Sequence, residues 1–455
     1  MPSDTFASRR VFLVCAVIAG TFFAGLIAAT WHFRGRIDHP ALLTFWWISN
    51  GAVIYSLYPL VRDRRRPPSP AAVTGRVVAV VGVHEPDQAD LRACLWSILE
   101  QSRVVVDEVH VVDDGSTRMP VQPFAHPRVR WHRTEHGGRR SAQRYVLDRL
   151  DPDDWDFVLA VDGACVLDEH AVDRQLREFA EPNVVATTAM VLMRNAGHNL
   201  LTRVVDLNTG TGVTRPTRRS ALRAVQINPG ALTVYRADVL FEHERLPRDP
   251  AADGDDQCLA MYPDLDGEVV PVPEAIAWTA APVDVASAYR QLLRTATRRW
   301  RALATALAPR HPRRTRALVL LGLLRTPAWM VCAVVLLVEA AVGGTPQASW
   351  IILYAALYLL VRYAEAGHYL AGRPAMSRSE KLRTWVLLTP VEAVYNLLGI
   401  GVIRCLALLP SRAFRREEPF HRPAPEPARA DSDAVAPVGS STVYYSGYMS
   451  EKTNS

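Results

Sequence analysis

The segment EVHVVDDGS, residues 108–116, joins a short apolar run to two consecutive acids and a glycine. Similar apolar runs recur between stretches with helical spacing, at residues 77–83, 157–161, 184–188 and 269–272. Short apolar runs that alternate with helices are typical of the strands of a mostly parallel α/β sheet. We therefore predict an α/β domain in which the acids of segment 108–116 lie at the carboxyl edge of the sheet, where ligands bind.

Two long apolar segments precede this domain, at residues 11–30 and 41–61. Each has the roughly 20 residues that a helix needs to cross a hydrocarbon core. Arg9 and Arg10 precede the first segment and a basic cluster at residues 62–66 follows the second, so the positive-inside rule predicts a membrane hairpin with both ends in the cytosol. A cleaved signal peptide is the alternative for the first segment.

Three more apolar segments follow the domain, at residues 318–342, 350–370 and 384–409. A complete crossing by the last one would leave Arg412, Arg415 and Arg416 outside, against the charge rule. Pro390 and Arg404 also interrupt this segment. Part of it is therefore expected to lie in the membrane interface or to turn back.

The predicted organisation has four parts. They are a transmembrane hairpin (1–66), a cytosolic domain (67–312), transmembrane or interfacial helices (313–412) and a tail (413–455). The tail is rich in Pro, Ala, Ser and charged residues, a composition that is typical of disorder. The protein is thus expected to be a multi-pass protein of the inner or plasma membrane, with membrane lipid as a partner.

The net charge of +6 comes almost wholly from arginine, because Lys381 and Lys452 are the only lysines. A GC-rich genome explains that bias, so the charge does not indicate a nucleic-acid partner, and we predict none. The six cysteines lack CxxC or metal-ligand spacing, which argues against a disulfide framework or a zinc site. The sequence also lacks the GxxxxGK[ST] and GxGxxG patterns of P-loop and dinucleotide-binding proteins.

Acids at strand ends are the first candidates for chemistry. Asp113 and Asp114 end one predicted strand, where a carboxylate can accept hydrogen bonds from a base or ribose; a plain Asx-turn is the alternative. Asp162 ends another strand and is placed to hold a divalent cation beside a diphosphate, although it too fits a turn. Glu85 follows the first strand and could reach the ribose.

Polar residues nearer the carboxyl end form two further groups. Asp255 and Asp256 precede a short helical stretch, where they serve either as a cap or as a general base that takes a proton from a sugar hydroxyl. In a helix, Gln291, Arg294 and Arg298 would lie on one face. Arginines there suit a departing diphosphate, and Trp300 could stack on a sugar ring or anchor in the interface. A basic helix lying on anionic lipid is the alternative.

These motifs, in this order, resemble those of the processive family 2 glycosyltransferases, which include hyaluronan, chitin and cellulose synthases. The resemblance covers about residues 75–305. It rests on segments VDDGS (112–116), GRR (138–140), DGA (162–164), NPGALTVYR (228–236), GDDQ (254–257) and QLLRT (291–295). It implies a GT-A-type nucleotide-sugar-binding domain. Two positions depart from the family pattern, because Ala164 replaces the second acid of Asp-x-Asp and Thr295 replaces a tryptophan.

The residues and the resemblance together assign a role to each candidate. The resemblance makes Asp256 the catalytic base. The residues expected to bind the nucleotide-sugar are Glu85, Asp113, Asp114, Arg139, Asp162, Gln291, Arg294 and Arg298. The residues expected to face the acceptor are Gly230, Tyr235, Arg236, Asp255 and Trp300. Asp162 is also expected to hold Mg²⁺ or Mn²⁺, with water, phosphates or Asp168 in place of the acid that Ala164 removes.

The reaction implied is a single inverting displacement that moves a sugar from a nucleotide-sugar, by default a UDP-sugar, to a growing polysaccharide at the cytosolic membrane face. Extrusion of the chain through the membrane helices would follow from the family layout. One alternative is non-processive transfer to a lipid or lipid-linked acceptor. Another is a catalytically silent nucleotide-binding membrane protein, which Ala164 and Thr295 motivate.

Overall fold

The computed structural model describes residues 73–213, 231–245, 267–306, 346–373 and 376–407, with single helical positions at 330, 334, 338 and 341. The predicted amino-terminal hairpin, the carboxyl-terminal tail and residues 246–266 lie outside the described residues. Within the described helices, the side chains at 139–140, 213, 243–245, 298–306 and 346–353 also lie outside this range.

The described strands form one eight-stranded sheet with the order β3-β2-β1-β4-β7-β6-β8-β5. The strands are β1 (Val77–Val83), β2 (Glu108–Asp114), β3 (Val129–Thr134), β4 (Phe157–Asp162), β5 (Val166–Leu167), β6 (Val184–Met193), β7 (Leu232–Arg236) and β8 (Glu268–Thr279). The pairs β1–β2, β1–β4, β2–β3 and β6–β8 are parallel. The other pairs, β4–β7, β5–β8 and β6–β7, are antiparallel. The prediction of a mostly parallel α/β sheet is therefore confirmed, with an antiparallel strand at its centre.

Eight helical segments have described bounds, apart from the single helical positions between 330 and 341. They are α1 (Gln88–Leu99), α2 (Arg139–Leu147), α3 (Ala171–Leu176), α4 (Leu200–Val213), α5 (Ala237–Arg245), α6 (Val285–Ala306), α7 (Pro346–Gly372) and α8 (Arg378–Leu406). Short 3₁₀ turns occupy Pro152–Asp154 and Arg177–Ala180.

The core lies on both faces of the sheet, because strand side chains alternate between the faces. On β1, Val77, Ala79 and Val81 pack with residues of α1 and α3. Val78 and Val80 point the other way and pack with residues of α2 and α5. β1 is therefore buried on both faces, which explains why its sequence is an unbroken apolar run.

The carboxyl-terminal helices pack on the same sheet through α4. Asp206 of α4 accepts a hydrogen bond from the backbone N–H of Met193 at 3.0 Å, and it pairs with Arg373 after the end of α7. Gly210 allows Tyr369 of α7 to approach α4, because a Cβ at Gly210 would lie 2.2 Å from the tyrosine ring. A further cluster joins Met190 and Leu192 of β6 and Ile276 of β8 to residues of α7 and α8. The apolar ends of these helices therefore rest directly on the domain that carries the sheet.

Among the described residues, one helix is long and apolar enough to cross a membrane by length and composition, and this is α8. The predicted interruption at Pro390 does not break it. The helix widens instead into π-helical stretches at Thr384–Leu388 and Tyr395–Ile400. Since a helical proline clashes with the carbonyl four residues before it, the π-helical turn that directly precedes Pro390 accommodates the ring.

Candidate functional site

Three strands bring candidate residues to one edge of the sheet. The parallel register sets Val83 of β1 opposite Asp113 of β2, and Gly82 opposite Asp162 of β4. The acids that end β2 and β4 therefore flank the end of β1, which continues into Glu85. This is the carboxyl edge at which open α/β sheets bind ligands.

Asp114 is buried, with 2% exposure, and its carboxylate organises a glycine turn. The turn donates backbone N–H groups from Gly137 at 2.8 Å and Gly138 at 2.9 Å. His136 Nδ1 lies 2.9 Å from the same carboxylate. Segment 138–140 of the family resemblance thus begins beside segment 112–116, because Asp114 holds the two together.

Gly115 is needed where the chain leaves β2. Its φ is +70°, and a Cβ there would lie 2.7 Å from the backbone nitrogen of His136. The positive φ and the close approach both favour glycine. Asp113, in contrast, accepts a hydrogen bond from the Ser116 N–H at 2.9 Å and lies 3.5 Å from Arg133. The contacts of Asp113 are those of an Asx-turn, the alternative role that the sequence left open.

A histidine pair next to Asp114 was not predicted from the sequence. His84 Nδ1 lies 2.7 Å from the backbone oxygen of Asp114, and the rings of His84 and His136 lie with their centroids 4.3 Å apart, tilted by 33° to each other. One ligand atom from each of His84, Asp114 and His136 lies within 4.8 Å of the others. Imidazole nitrogens suit zinc-type ions better than Mg²⁺ or Mn²⁺. Because the Asp114 carboxylate already faces Gly137, Gly138 and His136, its described contacts are those of a hydrogen-bonded turn. The pairing joins residues about fifty positions apart, so sequence spacing gave no signal for it.

Glu85 shapes the loop after β2. Its carboxylate accepts hydrogen bonds from the backbone N–H groups of Thr117 at 2.8 Å, Arg118 at 2.9 Å and Met119. Burial by itself would raise the pKa of Glu85, but these hydrogen bonds outweigh it, and with the nearby His84 they lower the pKa to about 2. Glu85 itself has a positive φ of 47°. The structure therefore places Glu85 as an anion that holds residues 117–119, and the predicted ribose contact stays a prediction.

Asp162 ends β4 in a tight turn. One carboxylate oxygen accepts the Ala164 N–H at 3.1 Å. Gly163 is packed so closely that a Cβ would lie 2.3 Å from Cγ1 of Val83. The side chain of Asp162 is partly exposed at the sheet edge, as a ligand-binding carboxylate must be.

The carboxylates near the end of β4 can be compared with the ligands that a divalent cation needs. Mg²⁺ commonly binds through one or two carboxylates together with water and substrate phosphates. Asp162 fits that minimal pattern. Asp168, the suggested substitute for the missing second acid, is paired with Arg174 at 2.8 Å and accepts the His170 N–H at 3.2 Å. Asp168 thus already has an arginine partner, and the metal-ligand roles of Asp162 and Asp168 stay predictions.

Two residues predicted to face the acceptor lie within the sheet. Tyr235 of β7 is 3% exposed and packs in the core between the sheet and helices α2 and α5. The guanidinium of Arg236 donates to the backbone oxygens of Val184 and Phe179, both at 2.8 Å. These contacts join β7 to β6 and to the 3₁₀ turn at Arg177–Ala180. The acceptor role of this pair remains a prediction.

The remaining candidates are only partly described. Gln291 is exposed and Arg294 is partly buried on α6, which confirms the predicted helix. The side chains of Arg139, Arg298 and Trp300 lie outside the described residues. So do Gly230, Asp255 and Asp256, and with them the proposed catalytic base. Their convergence with Asp114 and Asp162 therefore remains a prediction from the sequence.

Comparison with known proteins gives a family for this arrangement. Residues 75–297 match the family model described as "Glycosyltransferase like family 2". The chain is 29% identical over 206 residues to the hyaluronan synthase of Streptococcus pyogenes, a match that covers 41% of this chain and 48% of that protein. It is 26% identical over 250 residues to an N-acetylglucosaminyltransferase of Azorhizobium caulinodans, covering 52% of this chain and 62% of that protein. The chain thus spans about half the length of the first of these relatives.

Solved structures to which the chain is similar include a mannosyltransferase from Pyrobaculum calidifontis in complex with GDP-Man and Mn²⁺. It has a TM-score of 0.49 and 17% sequence identity, and the match covers 79% of this chain and 96% of that one.

Proposed function

Residues 75–297 form a family 2 glycosyltransferase domain, and on that premise we propose that the protein is an inverting hexosyltransferase. It moves a sugar from a nucleotide-sugar to a growing polysaccharide at the cytosolic face of the membrane, with a UDP-sugar as the default donor. The observation that carries the proposal is that two acids lie at the same edge of the sheet. Asp114 and Asp162 end the two strands that flank β1, and both lie inside the matched region.

Asp114 supports the nucleotide end of the site. Its carboxylate draws Gly137 and Gly138 to the end of β2, which brings the start of α2 to the sheet edge. Residues 139–147 then run away from this point as a helix. Since the amino terminus of a helix favours anions, Arg139 at that terminus is suitably placed for a phosphate.

Asp162 supports the diphosphate end. It would hold Mg²⁺ or Mn²⁺, which when bound neutralises the charge of the leaving diphosphate. Arg294 and Arg298, four residues apart on α6, would add donors for the same phosphates. Gln291 lies one turn earlier on that helix.

The proposed reaction begins with proton transfer to the base and ends with loss of the nucleoside diphosphate. Asp256 takes the proton of an acceptor hydroxyl, whose oxygen forms a bond to the anomeric carbon of the donor. The bond from that carbon to the diphosphate oxygen breaks, and the nucleoside diphosphate leaves with the electron pair. Because attack and departure occur on opposite sides, the anomeric configuration inverts.

Non-processive transfer to a lipid or lipid-linked acceptor is the second candidate. It is favoured by Thr295, which stands where the family has a tryptophan. The Thr295 hydroxyl donates to the backbone oxygen of Gln291 at 2.9 Å, so it stays within its own helix. A silent nucleotide-binding protein is the candidate from another class, and Ala164 is the residue that favours it.

The test is release of UDP by the purified full-length protein from a panel of UDP-sugars with Mn²⁺ or Mg²⁺. We expect release with at least one donor, and loss of that release in Asp256→Asn. If the wild type releases no more UDP than the variant with every donor and both metals, the enzyme proposal fails. Sizing the product then separates the candidates, since a single small glycolipid would contradict polymer synthesis.

A further inference from the structure

The outer face of α8 is apolar and exposed. Its exposed side chains, between 40% and 70% accessible, are Leu382, Val386, Leu387, Val391, Val394 and Leu398. Apart from the adjacent pair Val386 and Leu387, they recur at intervals of three or four residues, which places them along one side of the helix. An apolar stripe of this length is unusual on a surface that faces water.

The inner face of α8 rests on the domain that carries the sheet. Near the start of the helix, Trp385 and Leu388 pack with Met190 and Leu192 of β6 and with Ile276 of β8. These strands belong to the eight-stranded sheet, not to the flanking helices. The first part of α8 is thus in contact with the domain's own core.

The middle of α8 is joined to α4. Asn396 donates from Nδ2 to Oδ1 of Asn208 at 2.8 Å. Glu392 is buried and paired with Arg362 of α7, whose guanidinium lies 3.4 Å from the hydroxyl of Thr211 on α4. Because α4 is fixed to the end of β6 through Asp206 and Met193, these contacts tie the midpoint of α8 to the sheet.

The last turns of α8 pack beside α6, the helix that carries Gln291 and Arg294. The start, middle and end of α8 therefore all touch the same domain. A helix of 29 residues is about 43 Å long. If it stood upright in a bilayer, its midpoint would lie near the bilayer centre. α4, and with it the strand β6 to which it is joined, would then lie at the depth of the hydrocarbon, where only helices and closed barrels, and not an open sheet, are tolerated.

We propose that α8 does not cross the membrane but lies along its surface, with the exposed apolar stripe immersed in the head-group and acyl boundary of an anionic leaflet. The charges at its start suit that occupant. Arg378 and Arg383 are exposed in the first turns of the helix, and each basic side chain near an anionic surface contributes about 1 kcal/mol. The inner face of α8 is already packed against the domain, so the exposed stripe is the face that is left to enter the head-group boundary, as the apolar face of an interfacial helix does.

This orientation also agrees with the positive-inside rule, which a complete crossing by α8 would violate. With α8 on the surface, Arg412, Arg415 and Arg416 stay on the same side as Arg378, as the positive-inside rule requires. The inference rests on the proposed membrane location, but it does not depend on the proposed chemistry. A failure of UDP release would leave it unaffected.

The test is the depth of single labels in the full-length protein, reconstituted in vesicles of phosphatidylcholine and phosphatidylglycerol. Leu382, Leu387, Val391, Val394 and Leu398 are each replaced by Cys in a background without the six native cysteines, and labelled with a fluorophore. Depth is read by quenchers placed at known positions in the lipid. Ser379→Cys, at an exposed polar site before the stripe, is the matched control. If the cysteine-free background does not fold, a fluorescent amino acid inserted at the same positions gives the same readout.

For a surface helix, we expect all five labels to be quenched at similar shallow depths, within roughly 5 Å of one another, and the Ser379 label to remain in water. For a spanning helix, depth changes by about 24 Å between positions 382 and 398, at 1.5 Å per residue. That gradient would overturn the proposal. Labels that lipid quenchers do not reach would also overturn it, since they would show that another protein segment or a second copy covers the stripe.

Discussion

Asp114→Asn is the substitution whose effect the structure defines most closely. The carboxylate faces three donors, from Gly137, Gly138 and His136, and it is nearly inaccessible to water. Asparagine keeps one acceptor oxygen and replaces the other with an NH₂ group, so at least one of these donors loses its charged acceptor. Hydrogen bonds to a charged acceptor contribute about 1.5–3 kcal/mol. We therefore expect a loss of about 1.5–3 kcal/mol in the free energy of unfolding.

Asp113→Asn is the matched control, because Asp113 is the neighbouring buried acid. Its amide oxygen can still accept the Ser116 N–H, and the change removes only the pairing with Arg133, which is largely exposed. Such pairs contribute about 0–1 kcal/mol. The difference between the two variants, about 0.5–3 kcal/mol, corresponds to about 1–12 °C in melting temperature for a domain of this size, measured for both variants in the same detergent. Equal melting temperatures would refute the conclusion that Asp114 holds the glycine turn.

Three further predictions follow from single contacts. Gly210→Ala should lower the free energy of unfolding by about 1–3 kcal/mol, because its Cβ would lie 2.2 Å from the ring of Tyr369. Gly212→Ala is the control, since a Cβ there has no neighbour within 4 Å. Equal melting temperatures for the two variants would contradict this prediction. Glu85 has a pKa of about 2, below its ordinary 4.5, so its contribution to stability is present above pH 4.5 and is lost as the pH falls from 4.5 towards 2. The difference in melting temperature between wild type and Glu85→Gln should therefore shrink over that range, and a constant difference would count against the loop contacts. Asp162→Ala should raise the Mn²⁺ concentration needed for UDP release at least tenfold, whereas Asp168→Ala should not; the opposite order would move the metal ligand to Asp168.

The strands that sequence predicts best are those buried on both faces. The boundaries of β1 were predicted to the residue, because Val77–Val83 is an unbroken apolar run. β3 was missed because VRWHRT is an edge strand with polar residues on its exposed side. β7 was interpreted as part of an acceptor motif, and its place at the centre of the sheet depends on antiparallel pairing with β4 and β6. Pairing between distant segments leaves no local pattern.

The site shows the same limit. The sequence identified Asp114 and Asp162 because each ends an apolar run, and strand ends carry ligands. It could not show that Asp114 holds residues 136–138 or that Glu85 holds residues 117–119, since those partners lie more than twenty positions away. Hydropathy likewise identified the apolar content of α8. The contact between Asn396 and Asn208, one of those on which the proposed surface orientation rests, joins residues 188 positions apart.

The most direct test of the proposed transferase is the rate of UDP release by Asp256→Asn compared with Asp253→Asn, a nearby acid without an assigned role. A positioned general base contributes about 10²–10⁴-fold to a rate. We therefore expect release by Asp256→Asn to fall at least about 10²-fold below wild type, with the same donor and metal, and release by Asp253→Asn to stay near the wild-type rate. Equal rates for the two variants would contradict the assignment of Asp256 as the base and, with it, the proposed displacement.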